Sequence, residues 1–190
     1  RASIACGNAE RGRRFLGIGS DKPLLLVFGG SLGADKINRQ LRSVLDSLLE
    51  SFNIIHVTGR GNADTSLDQP GYIQKEFIDD EFGDVLAAAE LVISRAGANS
   101  LYELFLLRKP HLLIPLGIGA SRGDQLVNAA TFEREGFSCV LHEENLDNDT
   151  FLQTVRNLHD DLSDTVNRLA KFPARDSVNL IITEIEQSIR

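Results

Sequence analysis

Short apolar runs alternate with amphipathic segments along this chain, and that alternation narrows its fold more than any other feature. Several runs are continuous and rich in branched side chains, as is typical of strands covered on both faces. Strands that alternate with helices form a parallel sheet with helices on both of its sides. The sequence therefore predicts an α/β fold. The six predicted strands are 24–28, 53–57, 72–77, 91–94, 111–115 and 138–141.

Helical periodicity occupies the segments between these strands. It is clearest in 34–51, where aliphatic residues recur at helical spacing. We expect the segment 176–190 to form an amphipathic helix that packs on this domain or bridges to another one. The other predicted helices are 80–89, 98–107, 123–135 and 147–160.

The composition excludes several classes of protein. A chain of 190 residues with 42% hydrophobic and 25% charged residues is ordinary for one soluble domain, here 1–190. No apolar run is long enough for a transmembrane helix, and the first residues lack the pattern of a signal peptide. The net charge of −7 argues against nucleic acid as a partner, although Arg11, Arg13 and Arg14 leave room for a local basic patch.

Cysteine and methionine usage adds two expectations. Cys6 and Cys139 lie far apart and lack metal-ligand spacing, so we expect two buried thiols in a reducing compartment. The chain begins with Arg and contains no Met, so we expect it to be part of a longer protein.

Glycine-rich turns follow four of the predicted strands. They read "FGGSLGA", "TGRG", "RAGAN" and "LGIGASRG". In an open parallel sheet such turns lie at the carboxyl ends of the strands, where ligands bind. The sequence therefore predicts a ligand crevice at this edge of the sheet.

The first turn, "GGSLGADK", permits two interpretations. Its backbone N–H groups at the start of a helix are suited to a phosphate, but the segment can also be a tight turn capped by Ser31. It is not a P-loop, because the spacing to Lys36 is wrong and no hydroxyl residue follows that lysine.

The stretch "SRAGANSLYE" repeats this design after the fourth predicted strand. Gly97 opens the turn, and Asn99 or Ser100 can cap the following helix or leave its N–H groups to a diphosphate. Glu103 can accept two hydrogen bonds from a ribose diol, or it can be a solvated residue or close a capping box with Ser100. Arg95 has no derived role beyond a positive charge near the phosphates.

Two further segments carry polar residues. In "SRGDQLVNA", Asp124, Gln125 and Asn128 are polar residues in the first turns of a helix. Gln and Asp suit sugar hydroxyls, although a flexible loop with Asp124 stabilising the helix dipole explains the pattern equally well. In "EFIDD", adjacent carboxylates point apart, so Asp79 or Asp80 is predicted to cap a helix rather than to bind a metal. The scattered histidines have no spaced partners, and core or surface roles are predicted for His56, His111, His142 and His159.

Taken together, these motifs carry a family resemblance. The segments "LLVFGGSLGADKIN", "EFIDD", "LVISRAGANSLYEL", "KPHLLIPL" and "SRGDQLVNA", in this order, resemble the C-terminal half of the bacterial N-acetylglucosaminyltransferases of peptidoglycan synthesis. The resemblance implies a two-domain GT-B enzyme that transfers N-acetylglucosamine from UDP-N-acetylglucosamine to lipid-linked muramyl-pentapeptide, converting lipid I to lipid II. It implies a cytoplasmic enzyme, peripheral on the inner face of the cell membrane, that serves cell shape and cell division.

The resemblance also implies how the work is divided. The C-terminal Rossmann-like domain binds the donor, and the N-terminal domain, absent from this chain, binds the lipid acceptor at the membrane and supplies the catalytic base. No cofactor or metal is implied. The donor-binding residues implied by the resemblance are Arg11, Ser31, Ile78, Ala98, Asn99, Ser100, Leu101, Tyr102, Glu103 and Gln125. Arg11 lies in "GNAER", where the family has a proline-containing segment that is not kept here.

Two other functions remain open from the sequence. A related nucleotide-sugar hydrolase would use water as the acceptor. A non-catalytic protein would keep the nucleotide-binding domain for regulation or scaffolding.

Overall fold

The computed structural model describes residue 4 and residues 6–30, 34–117 and 123–171. Six parallel strands form one sheet in the order β3-β2-β1-β4-β5-β6. The order reverses beside β1, so the crevice at the carboxyl ends of β1 and β4 is the expected ligand position. The strands are β1 Leu24–Phe28, β2 Asn53–Val57, β3 Tyr72–Lys75, β4 Leu91–Ser94, β5 His111–Leu113 and β6 Cys139–Val140.

Helices cover both faces of the sheet and enclose two apolar cores. One core contains side chains of α1, α4, α5, α6 and α8, and the other contains side chains of α2, α3 and α7. Alternate residues of β1 enter opposite cores, as the two-residue period of a strand requires. The helices are α1 Ala9–Leu16, α2 Asp35–Ser43, α3 Leu45–Leu49, α4 Phe82–Ala88, α5 Ala98–Leu106, α6 Asp124–Arg134, α7 Asn148–Asp160 and α8 Leu162–Leu169.

The predicted fold class is confirmed, and most differences concern the ends of elements. The bounds of β1, β2 and β4 agree with the prediction, whereas β3, β5 and β6 are shorter. The predicted helix 34–51 is divided at Val44, whose φ of −122° departs from helical geometry. Helices α1 and α8 were not predicted, and the predicted helix in 176–190 lies outside the described residues.

The predicted cap at Asp79 or Asp80 is wrong. Helix α4 begins after Glu81, and no side chain of the described residues caps it. The backbone carbonyl of Asp79 instead accepts a hydrogen bond from the N–H of Phe82 at 3.1 Å. A backbone turn therefore takes the place of the side-chain cap.

Helices α1 and α4 pack with unusually close backbones. A Cβ atom at Gly7 would lie 2.2 Å from the carbonyl oxygen of Gly83, and one at Gly12 would lie 2.2 Å from that of Asp84. Only glycine permits this approach. The contact anchors α4, whose first residue, Phe82, lines the candidate site described below.

The structure agrees with the predicted environment of two histidines but not with that of the cysteines. His56 and His111 are buried, which confirms a core role for both. The ring of His56 forms hydrogen bonds with the Tyr72 hydroxyl at 2.8 Å and with the Asn38 side-chain oxygen at 2.9 Å. The prediction of two buried thiols is wrong, because Cys6 is exposed and Cys139 is half-buried, although both are free. Cys6 precedes α1 in a turn, where the core does not cover it.

Among the described residues, no helix combines the length and the apolar character needed to cross a membrane.

Candidate functional site

A cavity of about 240 Å³ opens at the carboxyl edge of the sheet. Its walls come from the ends of β1 and β2, the turn after β3, and the first turns of α4 and α5. It therefore lies in the crevice that the strand order favours for a ligand. The lining residues are Phe28, Gly30, Val57, Phe77, Ile78, Phe82, Asn99, Ser100 and Glu103.

One wall of the cavity is apolar. Phe28 and Phe82 meet edge to face with 5.4 Å between ring centroids, and Val57 and Ile78 complete the surface. Phe77 is 57% exposed although it is a large apolar residue. A flat apolar slot of this kind suits an aromatic ring such as a nucleobase.

The opposite wall is polar and comes from α5. This helix begins at Ala98 after Gly97, and no side chain in the described part of the protein caps it. The predicted caps at Asn99 and Ser100 are therefore wrong, because both residues lie inside the first turn. For the same reason Ser100 cannot be the N-cap of a capping box with Glu103.

The amino end of α5 is suited to an anion. The first N–H groups of an α-helix have no partner within the helix, and the helix dipole makes this end positive. Gly97 has a φ of −71°, which any residue can adopt, and a Cβ atom there would meet nothing within 4 Å. Neither backbone strain nor packing therefore requires glycine at this position, but its missing side chain keeps the helix end accessible.

Four of the residues implied by the family resemblance line this cavity. Ile78, Asn99, Ser100 and Glu103 come from two separate segments and meet at one place. Of these, Ile78 is buried although it lines the cavity. Glu103 lies one turn after the first residues of α5, on the same side of the helix as Asn99 and Ser100.

The remaining α5 residues are placed differently. The side chain of Leu101 belongs to the apolar core, and its backbone N–H donates to the carbonyl of Gly97 at 3.0 Å. Tyr102 is 50% exposed and is not part of the cavity wall, and Ala98 is an exposed residue of the first turn. Ser31 lies outside the described residues.

Gln125 is held by the backbone of the loop that precedes it. Its Oε1 accepts a hydrogen bond from the N–H of Leu116 at 3.1 Å. Asn128, one turn later in α6, donates from Nδ2 to the carbonyl of Ala96 at 3.0 Å. Both side chains thus connect α6 to the loops at the carboxyl edge, and Asp124 lies in the first turn of that helix.

Arg11 binds a carboxylate of its own chain. Its Nε and Nη2 donate to the two carboxylate oxygens of Asp84, each at 2.8 Å. The hydrogen bonds from Arg11 and from the backbone N–H of Asn8 lower the pKa of Asp84. This ion pair joins α1 to α4 beside Phe82, and Arg11 is not part of the cavity wall.

Arg95 has a definite role in the structure that the sequence did not reveal. It is buried, and its Nη1 donates to the carbonyl of Ile114 at 2.9 Å. Its Nη2 lies 2.6 Å from Oε1 of Glu143, whose Oε2 lies 2.8 Å from Nζ of Lys36. Burial opposes the ionisation of Glu143, but the hydrogen bonds from Lys36 and Arg95 outweigh it, so its pKa is lowered.

The sequence also missed the apolar wall. Phe28, Val57 and Phe82 read as ordinary core residues, since each belongs to a strand or to a helix start. The available signal was that two strands end in large apolar residues immediately before glycine-rich or polar turns. Only the parallel register, which aligns Phe28 with Val57, shows that these residues share one wall.

Two larger depressions lie elsewhere. One, of about 520 Å³, opens among α1, α8 and the segments leading into β4 and β5. The other, of about 560 Å³, follows β6, α7 and α8. Neither contains a residue implied by the family resemblance, and the first lies at the amino ends of the strands, away from the usual ligand edge. Among the described residues, no group of three or more side chains is arranged to hold a metal ion.

Most of the chain matches the model of one protein family. Residues 24–182 match the glycosyltransferase family 28 C-terminal domain. The chain belongs to this family. The assignment confirms the family resemblance and covers every strand of the sheet as well as the whole cavity wall.

Curated relatives agree with this family. The chain is 43% identical over 191 residues to the "UDP-N-acetylglucosamine--N-acetylmuramyl-(pentapeptide) pyrophosphoryl-undecaprenol N-acetylglucosamine transferase" of Clostridium botulinum (strain Alaska E43 / Type E3), covering 100% of this chain and 53% of the relative. It is 44% identical over 191 residues to the enzyme of the same name from Geobacillus kaustophilus (strain HTA426), covering 100% of this chain and 54% of that relative. The chain thus spans about half the length of these family members.

Solved structures support the fold. The MurG structure from Acinetobacter baumannii superimposes with a TM-score of 0.70 at 24% identity, covering 95% of this chain and 55% of that one. The glycosyltransferase VinC, solved in complex with dTDP, superimposes with a TM-score of 0.64 at 14% identity, covering 91% of this chain and 44% of that one. At these identities the likeness concerns the fold, which is the Rossmann-like C-terminal half of a GT-B glycosyltransferase.

Proposed function

We propose that this chain is the donor-binding half of an enzyme that transfers N-acetylglucosamine from UDP-N-acetylglucosamine to undecaprenyl-diphosphate-linked muramyl-pentapeptide. The observation that carries the proposal is the two-sided cavity at the carboxyl edge, with an apolar slot facing the amino end of α5. Membership of the family and the names of relatives at 43% and 44% identity support it.

The uracil base occupies the apolar slot in this proposal. Phe28, Phe82 and Val57 would contact its faces and edge, and the backbone at Ile78 would read its polar edge. Backbone groups hydrogen-bond a base edge with fixed geometry, whereas the apolar walls exclude water from those bonds.

The diphosphate lies at the start of α5, and the ribose lies against Glu103. N–H groups at an uncapped helix end donate to phosphate oxygens, and the helix dipole favours their negative charge. The carboxylate of Glu103 accepts hydrogen bonds from both ribose hydroxyls. Ser31, Ala98, Asn99, Ser100, Leu101 and Tyr102 are assigned to the diphosphate region, Gln125 to the sugar hydroxyls, and Arg11 to a more distant donor contact.

The chemical contribution of this half is to stabilise the leaving group. Attack by the acceptor hydroxyl at the anomeric carbon breaks the bond to the diphosphate oxygen, so negative charge develops on departing UDP. Fixed N–H donors and a helix dipole stabilise such charge without having to reorganise during the step. The acceptor, the catalytic base and any membrane contact belong, in this proposal, to a second domain.

Calorimetry with the 190-residue chain tests the donor site directly. We expect UDP and UDP-N-acetylglucosamine to bind with similar affinity, because base, ribose and diphosphate provide most of the contacts. At about millimolar ligand, calorimetry still detects a binding free energy near −4 kcal/mol. Absence of UDP binding at that concentration would contradict the proposal. The chain should show no transfer by itself.

A second measurement separates transfer from hydrolysis. A longer protein that carries this chain should form lipid II from lipid I and UDP-N-acetylglucosamine. Release of free N-acetylglucosamine in the absence of lipid acceptor, at a rate that lipid I does not change, would favour the hydrolase instead.

A further inference from the structure

Three charged side chains form a connected cluster at the carboxyl edge of the sheet. Arg95 and Glu143 have side chains that are each 9% exposed, whereas the side chain of Lys36 is 54% exposed. The cluster runs from the buried end of β4 through the segment after β6 to the first turn of α2. We refer to Arg95, Glu143 and Lys36 as the ionic bridge.

The ionic bridge connects segments that flank the proposed donor site. Arg95 precedes Gly97 by two residues, and its Nη1 binds the carbonyl of Ile114 at the end of β5. Lys36 lies in the first turn of α2, which follows the glycine-rich sequence 29–34. A Cβ atom at Gly117 would lie 3.7 Å from Oε2 of Glu143, so the loop after β5 passes beside the same carboxylate.

Two amide side chains extend these connections. Gln125 binds the N–H of Leu116 at 3.1 Å, and Asn128 binds the carbonyl of Ala96 at 3.0 Å. The segments after β1, β4 and β5 are thus joined to one another by side-chain hydrogen bonds and ion pairs. Under the proposed function, Ser31 follows β1 and residues 98–102 follow β4 in the diphosphate region, and Gln125, assigned to the sugar, lies in α6 beyond the loop after β5.

Arg95 and Glu143, the central pair of the ionic bridge, both have largely buried side chains, so each depends on the other to compensate its charge. A buried guanidinium that loses its carboxylate is left as an uncompensated charge, so the surroundings must rearrange or admit water. The Arg95–Glu143 contact is an ion pair of 2.6 Å, and Lys36 adds a charge-assisted hydrogen bond of 2.8 Å, a kind of bond roughly twice as strong as one between neutral groups. The positions of Ile114 and of the start of α2 are therefore set by the same carboxylate.

We propose that Arg95 and Glu143 are positioning residues for the donor diphosphate, acting through Lys36 and Ile114 rather than by touching the ligand. This inference rests on the proposed function. The ionic bridge holds the start of α2, the end of β4 and the carbonyl of Ile114 at the spacing that the diphosphate and the attached sugar require. In an organised site, misplacement of groups by about 1 Å can cost roughly 100-fold in reaction rate.

The substitution Glu143→Gln gives a test in which a purely Coulombic effect and the loss of positioning change UDP affinity in opposite directions. It removes a negative charge near the proposed diphosphate site, so a purely Coulombic effect would tighten UDP binding. Loss of the bridge would instead displace the loops and weaken UDP binding, by about tenfold if one segment moves appreciably. Uridine, which lacks phosphates, should keep its affinity within about twofold.

The experiment measures the affinities of UDP and uridine by calorimetry for the 190-residue chain and its variants. The control is Asp161→Asn, which breaks the equally short but half-exposed Arg168–Asp161 pair of 2.6 Å between the N-cap and the last turn of α8. That control should change neither affinity. Lys36→Arg should keep nearly normal UDP binding, because a guanidinium can also pair with Glu143.

Several outcomes would overturn the inference. UDP binding that is unchanged or tighter in Glu143→Gln, or equal losses for UDP and uridine, would show that the bridge does not position the diphosphate. If Glu143→Gln fails to fold, Lys36→Met leaves the buried pair intact, and its loss of UDP affinity should persist at high salt, where a Coulombic loss disappears. Failure of the unchanged chain to bind UDP would instead reject the proposed function itself.

Discussion

The backbone of Gly12 lies so close to Asp84 that a Cβ atom on the glycine would stand 2.2 Å from the aspartate carbonyl oxygen. This contact holds α1 against α4, and α4 presents Phe82 to the proposed base slot. Packing at a distance from the cavity therefore fixes part of its apolar wall. Gly97 differs from Gly12, because a Cβ atom at Gly97 would meet nothing within 4 Å. The fold therefore requires glycine at position 12, whereas at position 97 only a ligand could require it.

Replacement of Gly12 by alanine should destabilise the protein. Alanine in a helix interior is normally favoured over glycine by about 1 kcal/mol, so helix propensity alone predicts the opposite. Because the obstacle is backbone rather than a flexible side chain, we expect the free energy of unfolding to fall by roughly 1–3 kcal/mol. Urea unfolding measures the change, and a variant as stable as the unchanged chain would show that α1 can shift without cost.

Replacement of Gly97 by alanine should affect ligand binding and not stability. Its φ of −71° and the space around it accommodate a methyl group, so the free energy of unfolding should stay equal or rise by up to about 1 kcal/mol. The methyl group would stand at the amino end of α5, where we place the diphosphate, and UDP affinity should fall by about tenfold.

Gly19→Ala is the matched control for Gly97→Ala. A Cβ atom at Gly19 would meet only a side-chain oxygen of Asp21 at 3.2 Å, and Gly19 is not part of the cavity wall. It should leave UDP affinity unchanged. Equal UDP affinity for the Gly97 variant and the unchanged chain would argue against a diphosphate at this helix end.

Replacement of Glu103 by glutamine should weaken the recognition of ribose. The amide keeps the shape of the side chain but loses the charge that strengthens two hydrogen bonds, so UDP affinity should fall by about tenfold. The same substitution should lower the affinity for the 2′-deoxy analogue of UDP much less, because that analogue lacks one of the two hydroxyls that Glu103 binds. Calorimetry with both nucleotides gives the comparison.

Glu135→Gln serves as the control for the Glu103 variant. Glu135 is exposed at the end of α6 and should have no effect on either nucleotide. Equal losses for UDP and its deoxy analogue in Glu103→Gln would place the carboxylate away from the ribose.

Buried histidines should make the protein sensitive to mild acid. Burial, aided by the charge of Arg42, lowers the pKa of His56 to about 3. Burial lowers the pKa of His111 to about 4, although its hydrogen bond to the backbone of Lys109 opposes the shift. An unfolded histidine titrates near pH 6.5, so the unfolded chain binds more protons between these values.

The sign of the acid effect follows from that difference. The contribution of each neutral histidine is complete above about pH 6.5 and is lost as the pH falls towards its folded value. Between about pH 7 and pH 5, each should remove about 2 kcal/mol from the free energy of unfolding. Urea unfolding at the two pH values tests this, and His56→Gln should reduce the pH dependence by about half although it lowers stability at both. An unchanged pH dependence in that variant would show that His56 is not buried neutral in solution.

The sequence by itself determined the fold class, the order of the strands and the edge of the sheet at which we propose the ligand site. Apolar runs such as 24–28 and 53–57 carry their signal locally, because a strand covered on both faces must be apolar throughout. The signal of a glycine-rich turn is also local, because the glycines directly follow the end of a strand. The motif "SRAGANSLYE" directed attention to α5, and three of its residues do line the cavity.

Only the tertiary structure decided which residues share a wall and which bind each other. Phe28, Val57 and Phe82 become neighbours through parallel register and helix packing, which have no local signature. The partner of Arg95 lies 48 positions further along the chain, so its role could not be read from its own segment. The caps expected at Asp79 and Ser100 were wrong because backbone geometry, and not side-chain type, decides where a helix begins.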